Sequence, residues 1–344
     1  MLAVITGANS MDGKTLCHFL LKKGYHVILT YRRNTLLNLD ELAKLFNKDL
    51  ASNTEAKLSF ENCDITDKNS VESCIKNITN NHGRIHELYM LAAMSHVGNS
   101  FQQKEYSVLA NGMSYYYFLE TIKNYSPKTK VYGALTSELA GNVPEGFVFN
   151  EETVWNPKSP YSIGKALGGH WIKFYRESLD SKLFCCFGIL FNHSNTYRSP
   201  DFFIRKITQA AASIALGKSN KIKLGNLHWY RDEHWSDFGC EAMWKMLQNN
   251  EPKDYVIGNG VTHHATEYLD KAFGYFNLDP NKYIEIDKTL IRPNEVERLI
   301  CDPSKAEKEI GWQRNRISFQ KHIELMCDFD FKLLNGSNPV RPEL

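Results

Sequence analysis

Ala3-Val4-Ile5-Thr6-Gly7-Ala8-Asn9-Ser10-Met11-Asp12-Gly13 is the stretch on which the fold turns. Apolar residues of strand character run into a glycine-containing turn, and an amphipathic segment from Lys14 to Lys23 follows. That order predicts a buried strand, a tight turn and a helix whose N-terminus opens over the turn. The alternation continues outward. His26 to Tyr31, Leu58 to Cys63, Glu87 to Ala93, Lys130 to Leu135 and Leu183 to Phe191 read as further strands, separated by segments of helical spacing. Strands alternating with helices imply a parallel sheet covered on both faces, with binding at the carboxyl ends of the strands.

After Asn192 the pattern loosens. Phe202 to Gly217 is predicted helical, Ile222 to Leu224 a short strand, Phe238 to Leu247 a helix and Asp254 to Gly258 a strand. A helix from Thr266 and a basic, proline-containing tail complete the chain. The 344 residues suffice for one large α/β domain with a smaller lobe, or for two modest domains. The expected class is α/β: a Rossmann-type, doubly wound parallel sheet with a smaller, interleaved C-terminal substrate lobe. The large domain is expected over residues 1–191 plus roughly 229–264, and the lobe over roughly 192–228 and 265–344.

Composition excludes several classes. A net charge of +2 gives no bulk field for nucleic acid or a membrane surface, and neither partner is expected. The eight cysteines form no C-x-x-C pair and no zinc spacing, so reduced thiols in a core and no metal are expected. The start lacks a signal peptide's basic run, and the apolar runs fall far short of the roughly 20 residues that span a bilayer. A cytoplasmic location is the expectation.

The turn carries chemistry. Backbone N–H groups from Gly7 through Ala8, Asn9, Ser10, Met11, Asp12 and Gly13 open a helix, a setting that favours a pyrophosphate. Dinucleotide-binding short-chain enzymes read T-G-x-x-G-x-x-G here. Gly7 and Gly13 match the first and third glycines, and Ser10 replaces the second. Arg32 and Arg33 follow the second strand, where an acidic residue would hold the ribose of NAD; arginine suits the 2′-phosphate of NADP. Asp64 and Ile65 end the third strand, where such folds contact adenine. Leu91, Ala92 and Ala93 end the fourth, with small residues beneath the cofactor.

Two clusters are candidate catalysts. Thr136-Ser137-Glu138 ends the fifth strand, and Tyr161-Ser162-Ile163-Gly164-Lys165 opens a helix after a turn-rich stretch. Residues four apart share a helix face, so Tyr161 and Lys165 are expected to point together into a cleft. The ammonium is expected to lower the phenol's pKa, so that a phenolate takes a proton from a sugar hydroxyl as hydride leaves carbon. Glu138 discriminates. A dehydrogenase or 4-epimerase needs only the Tyr–Lys pair and a hydroxyl, whereas a 4,6-dehydratase must also remove the carbon 5 proton, made acidic by a carbon 4 ketone.

At this point the chain resembles the GDP-mannose 4,6-dehydratase family over nearly its whole length. The matching stretches include Phe19-Leu20-Leu21-Lys22-Lys23-Gly24-Tyr25, Arg32-Arg33, Ser95-His96-Val97 and Thr136-Ser137-Glu138-Leu139. Further along come Ser159-Pro160-Tyr161, Gly188-Ile189-Leu190-Phe191-Asn192-His193, Arg205-Lys206-Ile207, Leu224-Gly225-Asn226-Leu227 and Arg231-Asp232. The resemblance implies an extended short-chain dehydrogenase/reductase that uses NADP as an internal redox agent on a GDP-sugar, as a homodimer or higher homo-oligomer. It implies Tyr161, assisted by Thr136, as base at carbon 4 and Glu138 as base at carbon 5. Ser137 stands where related dTDP-glucose enzymes carry an aspartate. Tyr106, His193 and Arg198 match cofactor contacts, as Ser95 matches a stretch by the cofactor and substrate. Asn192, Lys206, Gly225, Arg231, Arg292 and Glu295 match the substrate side.

The chain departs from the family's pattern in places. After Arg231-Asp232 the family reads W-G-H-A-x-D-Y-V, and this chain reads Glu233-His234-Trp235-Ser236-Asp237-Phe238-Gly239-Cys240. The polar run after Arg33 becomes Asn34-Thr35-Leu36-Leu37-Asn38. These differences fit a changed sugar, such as a GDP-manno-heptose, as well as mannose. The competing readings are a 4-epimerase or reductase on the same scaffold and a non-catalytic NADP-binding sensor.

Overall fold

The structure is a computed structural model that describes residues 1–32, 38–144, 146–291 and 294–344. Arg33, the loop positions 34–37 and Arg292 therefore lie outside the described residues.

The first strand, β1 (Leu2–Thr6), is buried along its length, as a strand covered on both faces must be. Alternate residues serve opposite cores: Ala3 and Ile5 join one apolar cluster, Leu2 and Val4 the other. Strands β2 (His26–Tyr31), β3 (Lys57–Asn62), β4 (Glu87–Met90), β5 (Lys130–Thr136) and β6 (Cys185–Leu190) follow. Then come β7 (Asn192–Ser194), β8 (Ile222–Leu224), β9 (Tyr230–Trp235), β10 (Tyr255–Ile257), β11 (Thr262–His264), β12 (Ile284–Ile286) and β13 (Arg298–Leu299).

Seven of these form one parallel sheet in the order β10-β6-β5-β4-β1-β2-β3. The chain reverses its direction of winding between β1 and β4, which opens a crevice beyond their carboxyl ends. Helices Met11–Lys22 and Ser236–Gln248 cover one face, and Lys68–His82, Ser114–Tyr125 and Pro160–Glu177 the other. A second sheet, β11-β9-β13 with β7 also on β9, stands over that crevice's edge, and β8 pairs with β12.

One expected strand end is corrected, and three elements go beyond the expectations. The fourth strand ends at Met90 instead of Ala93, because the N–H groups of Leu91 and Ala92 turn to the Thr6 hydroxyl, each at 2.9 Å. Between β4 and β5 a continuous helical stretch, Lys104–Val108 and Ser114–Tyr125, is widened by one turn, Leu109–Met113. Tyr230–Trp235, to which the sequence reading assigned no element, is a strand buried from Arg231 onward. The tail contains a sixteen-residue helix, Phe319–Leu334, which buries Ile323, Met326 and Cys327. Its Asp330 pairs with Arg205 of helix Phe203–Ala215 at 2.7 Å and accepts the Thr208 hydroxyl at 2.7 Å. Among the described residues no helix is long and apolar enough to cross a membrane, and all eight cysteines are free and buried.

Candidate active site

The glycine turn is built for close approach. Gly7 sits at φ +87°, and a Cβ there would meet Ala92 atoms at 3.1–3.3 Å, so only glycine fits. A Cβ on Gly13 would meet the Gly7 carbonyl at 2.4 Å. Ser10, the departure from the glycine pattern, lies at φ −71°, ψ 156°, where any residue is comfortable. Its hydroxyl accepts the Gly13 N–H at 2.9 Å and donates to the Gly7 carbonyl at 2.8 Å, capping the helix. The turn thus gains a cap where the family pattern has glycine.

Around this turn, residues distant in sequence meet. Arg32 donates to the Tyr106 hydroxyl at 2.9 Å. Asp64 closes its own loop, accepting the N–H and hydroxyl of Thr66 at 3.0 and 2.7 Å, with Ile65 half-buried beside it. Asn111, buried in the wide helical turn, holds both the N–H and the carbonyl of Met94 at 3.1 Å, which fixes the segment leaving β4. A helical turn widened by one residue commonly marks a functional position.

Thr136 ends β5 and caps the short turn Ser137–Leu139 by accepting the Glu138 N–H at 3.2 Å. Tyr161 lies in the first turn of helix Pro160–Glu177, whose start is fixed by a reciprocal Ser159–Ser162 cap. Lys165, one turn on, donates to the Ala134 carbonyl at 2.7 Å, and Tyr115 donates to the same carbonyl at 2.8 Å. Gly164 lets the helix press in, since a Cβ there would meet the Asn111 Cβ at 2.9 Å.

The electrostatics correct one expectation. Burial pushes the Tyr161 phenol up to about 12, with the Thr136 hydroxyl pulling it down and the Glu138 charge raising it further. Lys165 is not among the main influences on the phenol: burial pulls the ammonium itself down to about 8, and one of its N–H groups donates to the Ala134 carbonyl. Burial also works to raise Asp12, but His193 and the Ser236 hydroxyl overrule it and hold the carboxyl at about 2. His193 bridges the Phe191 carbonyl at 2.7 Å and Asp12 at 2.9 Å.

These groups border one cavity of about 280 Å³. Thr136, Ser137, Glu138, Tyr161 and Lys165 form one wall. Asp12, Leu91, Ala93 and Ser95 border it below, and Asn192, His193 and Arg198 border it beyond β6. Gly225, Arg231 and Glu295 close the far end, with Arg231 and Glu295 paired at 3.4 Å. Gly7, Ala8, Asn9, Ser10, Met11 and Gly13 lie outside this lining, as do Arg32, Asp64, Ile65, Ala92, Tyr106 and Lys206. The neighbouring Arg205, not Lys206, is the buried cation of that pair, and it serves Asp330. The residues that motif reading missed are Thr6, Asn111, Ser236 and Glu233. Each acts through contacts between distant segments, which no local spacing records.

Comparison with known proteins fits this arrangement. The family model described as GDP-mannose 4,6 dehydratase matches residues 4–326. GDP-mannose 4,6 dehydratase 2 of Arabidopsis thaliana is 37% identical, over 96% of this chain and 87% of its own length. The Homo sapiens GDP-mannose 4,6 dehydratase is 34% identical, over 98% of this chain and 93% of its own. Among solved structures, the dTDP-glucose 4,6-dehydratase of Streptomyces venezuelae superposes with a TM-score of 0.80 at 18% identity, covering 99% of this chain and 100% of that one. The Pseudomonas aeruginosa protein RMD does so at 0.76 and 15% identity, covering 96% and 99%. By a family match that runs almost end to end, the chain belongs to the GDP-mannose 4,6 dehydratase family.

Proposed function

We propose that the protein is a GDP-sugar 4,6-dehydratase that converts GDP-mannose, or a related GDP-manno-sugar, to the 4-keto-6-deoxy sugar. The observation that carries this reading is the placing of Glu138 beside Tyr161, close enough for its charge to raise the phenol, on the wall that also holds Thr136 and Lys165. The curated relatives are named for this reaction on GDP-mannose.

The glycine cradle at Gly7 and Gly13, opening helix Met11–Lys22, fits a dinucleotide pyrophosphate. Arg32 with Tyr106 would hold a 2′-phosphate, which favours NADP. The RMD structure holds NADPH, and the Streptomyces venezuelae structure holds NAD. Asp64, Ile65, Leu91, Ala92, Ala93, Ser95, His193 and Arg198 complete the proposed cofactor contacts. A nicotinamide held by these residues would supply the hydride acceptor for carbon 4 and the hydride donor for carbon 6.

The chain's own groups move the protons. Tyr161, eased by the Thr136 hydroxyl, takes the carbon 4 hydroxyl proton, and Lys165, while it keeps its ammonium charge one helical turn away, offsets the negative charge that forms there. Glu138 takes the carbon 5 proton and delivers it to the carbon 6 hydroxyl, which leaves as water; once hydride has reached carbon 6, carbon 5 takes up a proton exchanged with solvent, and the proton that Tyr161 took is released. Ser137 lies between these groups on the same turn. Arg231, Glu295, Asn192, Lys206 and Gly225 are proposed to hold the GDP-sugar, with Arg292 from outside the described residues. In this reading residues 192–228 and 265–344 form the substrate lobe.

The test is incubation with NADP and a panel of GDP-sugars, followed by product mass. Loss of one water supports the reading. A product of unchanged mass with inverted carbon 4 would replace it with an epimerase.

A further inference from the structure

One buried carboxyl in the cavity is unexplained by the proposed steps. Glu233 follows Arg231-Asp232, where the family carries tryptophan. It is 5% exposed and lines the cavity. Its Oε2 meets the Tyr268 hydroxyl at 3.5 Å, the outer limit of a hydrogen bond. Its Oε1 is buried with no hydrogen bond of good geometry among the described residues, although the Ser194 hydroxyl, Arg198 and His193 lie near enough to lower its pKa.

Burying a carboxyl oxygen without a partner is costly, and an apolar side chain would serve packing better. Burial raises Glu233 to about 7, against the lowering influence of Ser194, Arg198 and His193, while Asp232 raises it further. Such a group persists in a cavity wall when a ligand supplies the missing donor.

Position says which donor. Successive residues of a strand alternate between faces, so Arg231 and Glu233 of β9 share one. Both line the cavity with Trp229 just before them. Two residues of strand span about 7 Å, the width of one sugar ring. With the GDP pyrophosphate at Arg231, the carboxyl of Glu233 faces the sugar, and it lies beside Asn192 in the strand pairing.

We infer that Glu233 is a specificity residue whose free carboxyl oxygen accepts a hydrogen bond from a hydroxyl of the bound sugar. This rests on the GDP-sugar reading above. The carboxyl favours sugars that present a hydroxyl toward β9.

The experiment titrates GDP-mannose, GDP and NADPH calorimetrically into Tyr161→Phe protein carrying Glu233, Glu233→Gln or Glu233→Met. Methionine matches the volume without a strong acceptor, and glutamine keeps a carbonyl oxygen. The expected result is a loss of GDP-mannose affinity of about 10-fold or more in Glu233→Met. Glu233→Gln should recover most of it, with GDP and NADPH affinities unchanged. The melting temperature of Glu233→Met should rise, because an unpartnered buried carboxyl is gone. A structural role would instead lower the melting temperature and leave the ligands alike.

Three results would overturn the inference: unchanged GDP-mannose affinity, equal losses for GDP and GDP-mannose, or a loss confined to NADPH. Turnover by the protein with Tyr161 intact is recorded separately. No water loss from a GDP-mannose that still binds through Glu233 would sink the dehydratase reading and leave this contact standing.

Discussion

The Asp12 carboxylate lies 2.9 Å from His193 Nε2, joining the first turn of the first helix to the strand that leaves the main sheet after β6. Ser236 donates to the other Asp12 oxygen at 2.8 Å. One carboxylate therefore ties the phosphate turn, the cavity wall and helix Ser236–Gln248 together.

Asp12→Asn tests that tie. The carboxyl falls from 3.8 to about 2 on folding, so its stabilisation is present above pH 3.8 and is lost as pH falls through 2. The variant should lose on the order of 2 kcal/mol at pH 7 and show a shallower acid limb. Urea unfolding at pH 7 and along the acid limb measures both. An unchanged midpoint would show that the pair contributes nothing.

Arg32→Ala tests cofactor choice. A charge-assisted contact to the 2′-phosphate is worth about 1.5–3 kcal/mol. NADP affinity should therefore fall about 10-fold or more while NAD affinity holds, read by fluorescence titration. Equal losses for both cofactors would show that Arg32 only supports Tyr106.

The paired helices predict a dimer. Tyr115 and Phe118 are buried against the sheet, but Tyr116 turns outward against Trp171 at 5.1 Å between ring centroids. On helix Pro160–Glu177, Ile163 and Phe174 are 50% and 57% exposed, so apolar surface spans that helix near the catalytic wall. Sedimentation at micromolar concentration should give a dimer, and Phe174→Glu should shift it toward monomer. A wild-type monomer would refute the interface.

The first half of the fold was legible because buried parallel strands leave continuous apolar runs: His26 to Tyr31 matches β2 from end to end. The second half was not. β9 reads Tyr-Arg-Asp-Glu-His-Trp, and what lets Asp232 sit buried there comes from another segment: it accepts the N–H groups of Asn259 and Gly260 at 2.7 and 2.6 Å. Helix Phe319–Leu334 hid its apolar stripe behind Asp330, a buried charge whose partner, Arg205, lies far back in the chain. At the site, motif spacing located Thr136, Glu138, Tyr161 and Lys165, which share a wall. The direction of the Tyr161 shift was not legible, because it is set first by burial, which follows from the packing of distant segments.

The central claim is that Glu138 handles the carbon 5 proton while Tyr161 and Lys165 serve carbon 4. The most direct measurement is the product mass spectrum after incubation of GDP-mannose with NADP and enzyme in deuterium oxide. The protein should give a product lighter by one water that carries one solvent deuterium at carbon 5. Glu138→Gln keeps the side chain's shape without its basicity. It should bind GDP-mannose nearly as well, yet form that product about 100-fold or more slowly, the scale of a lost general base. Wild-type rates and full deuterium incorporation in Glu138→Gln would contradict the account.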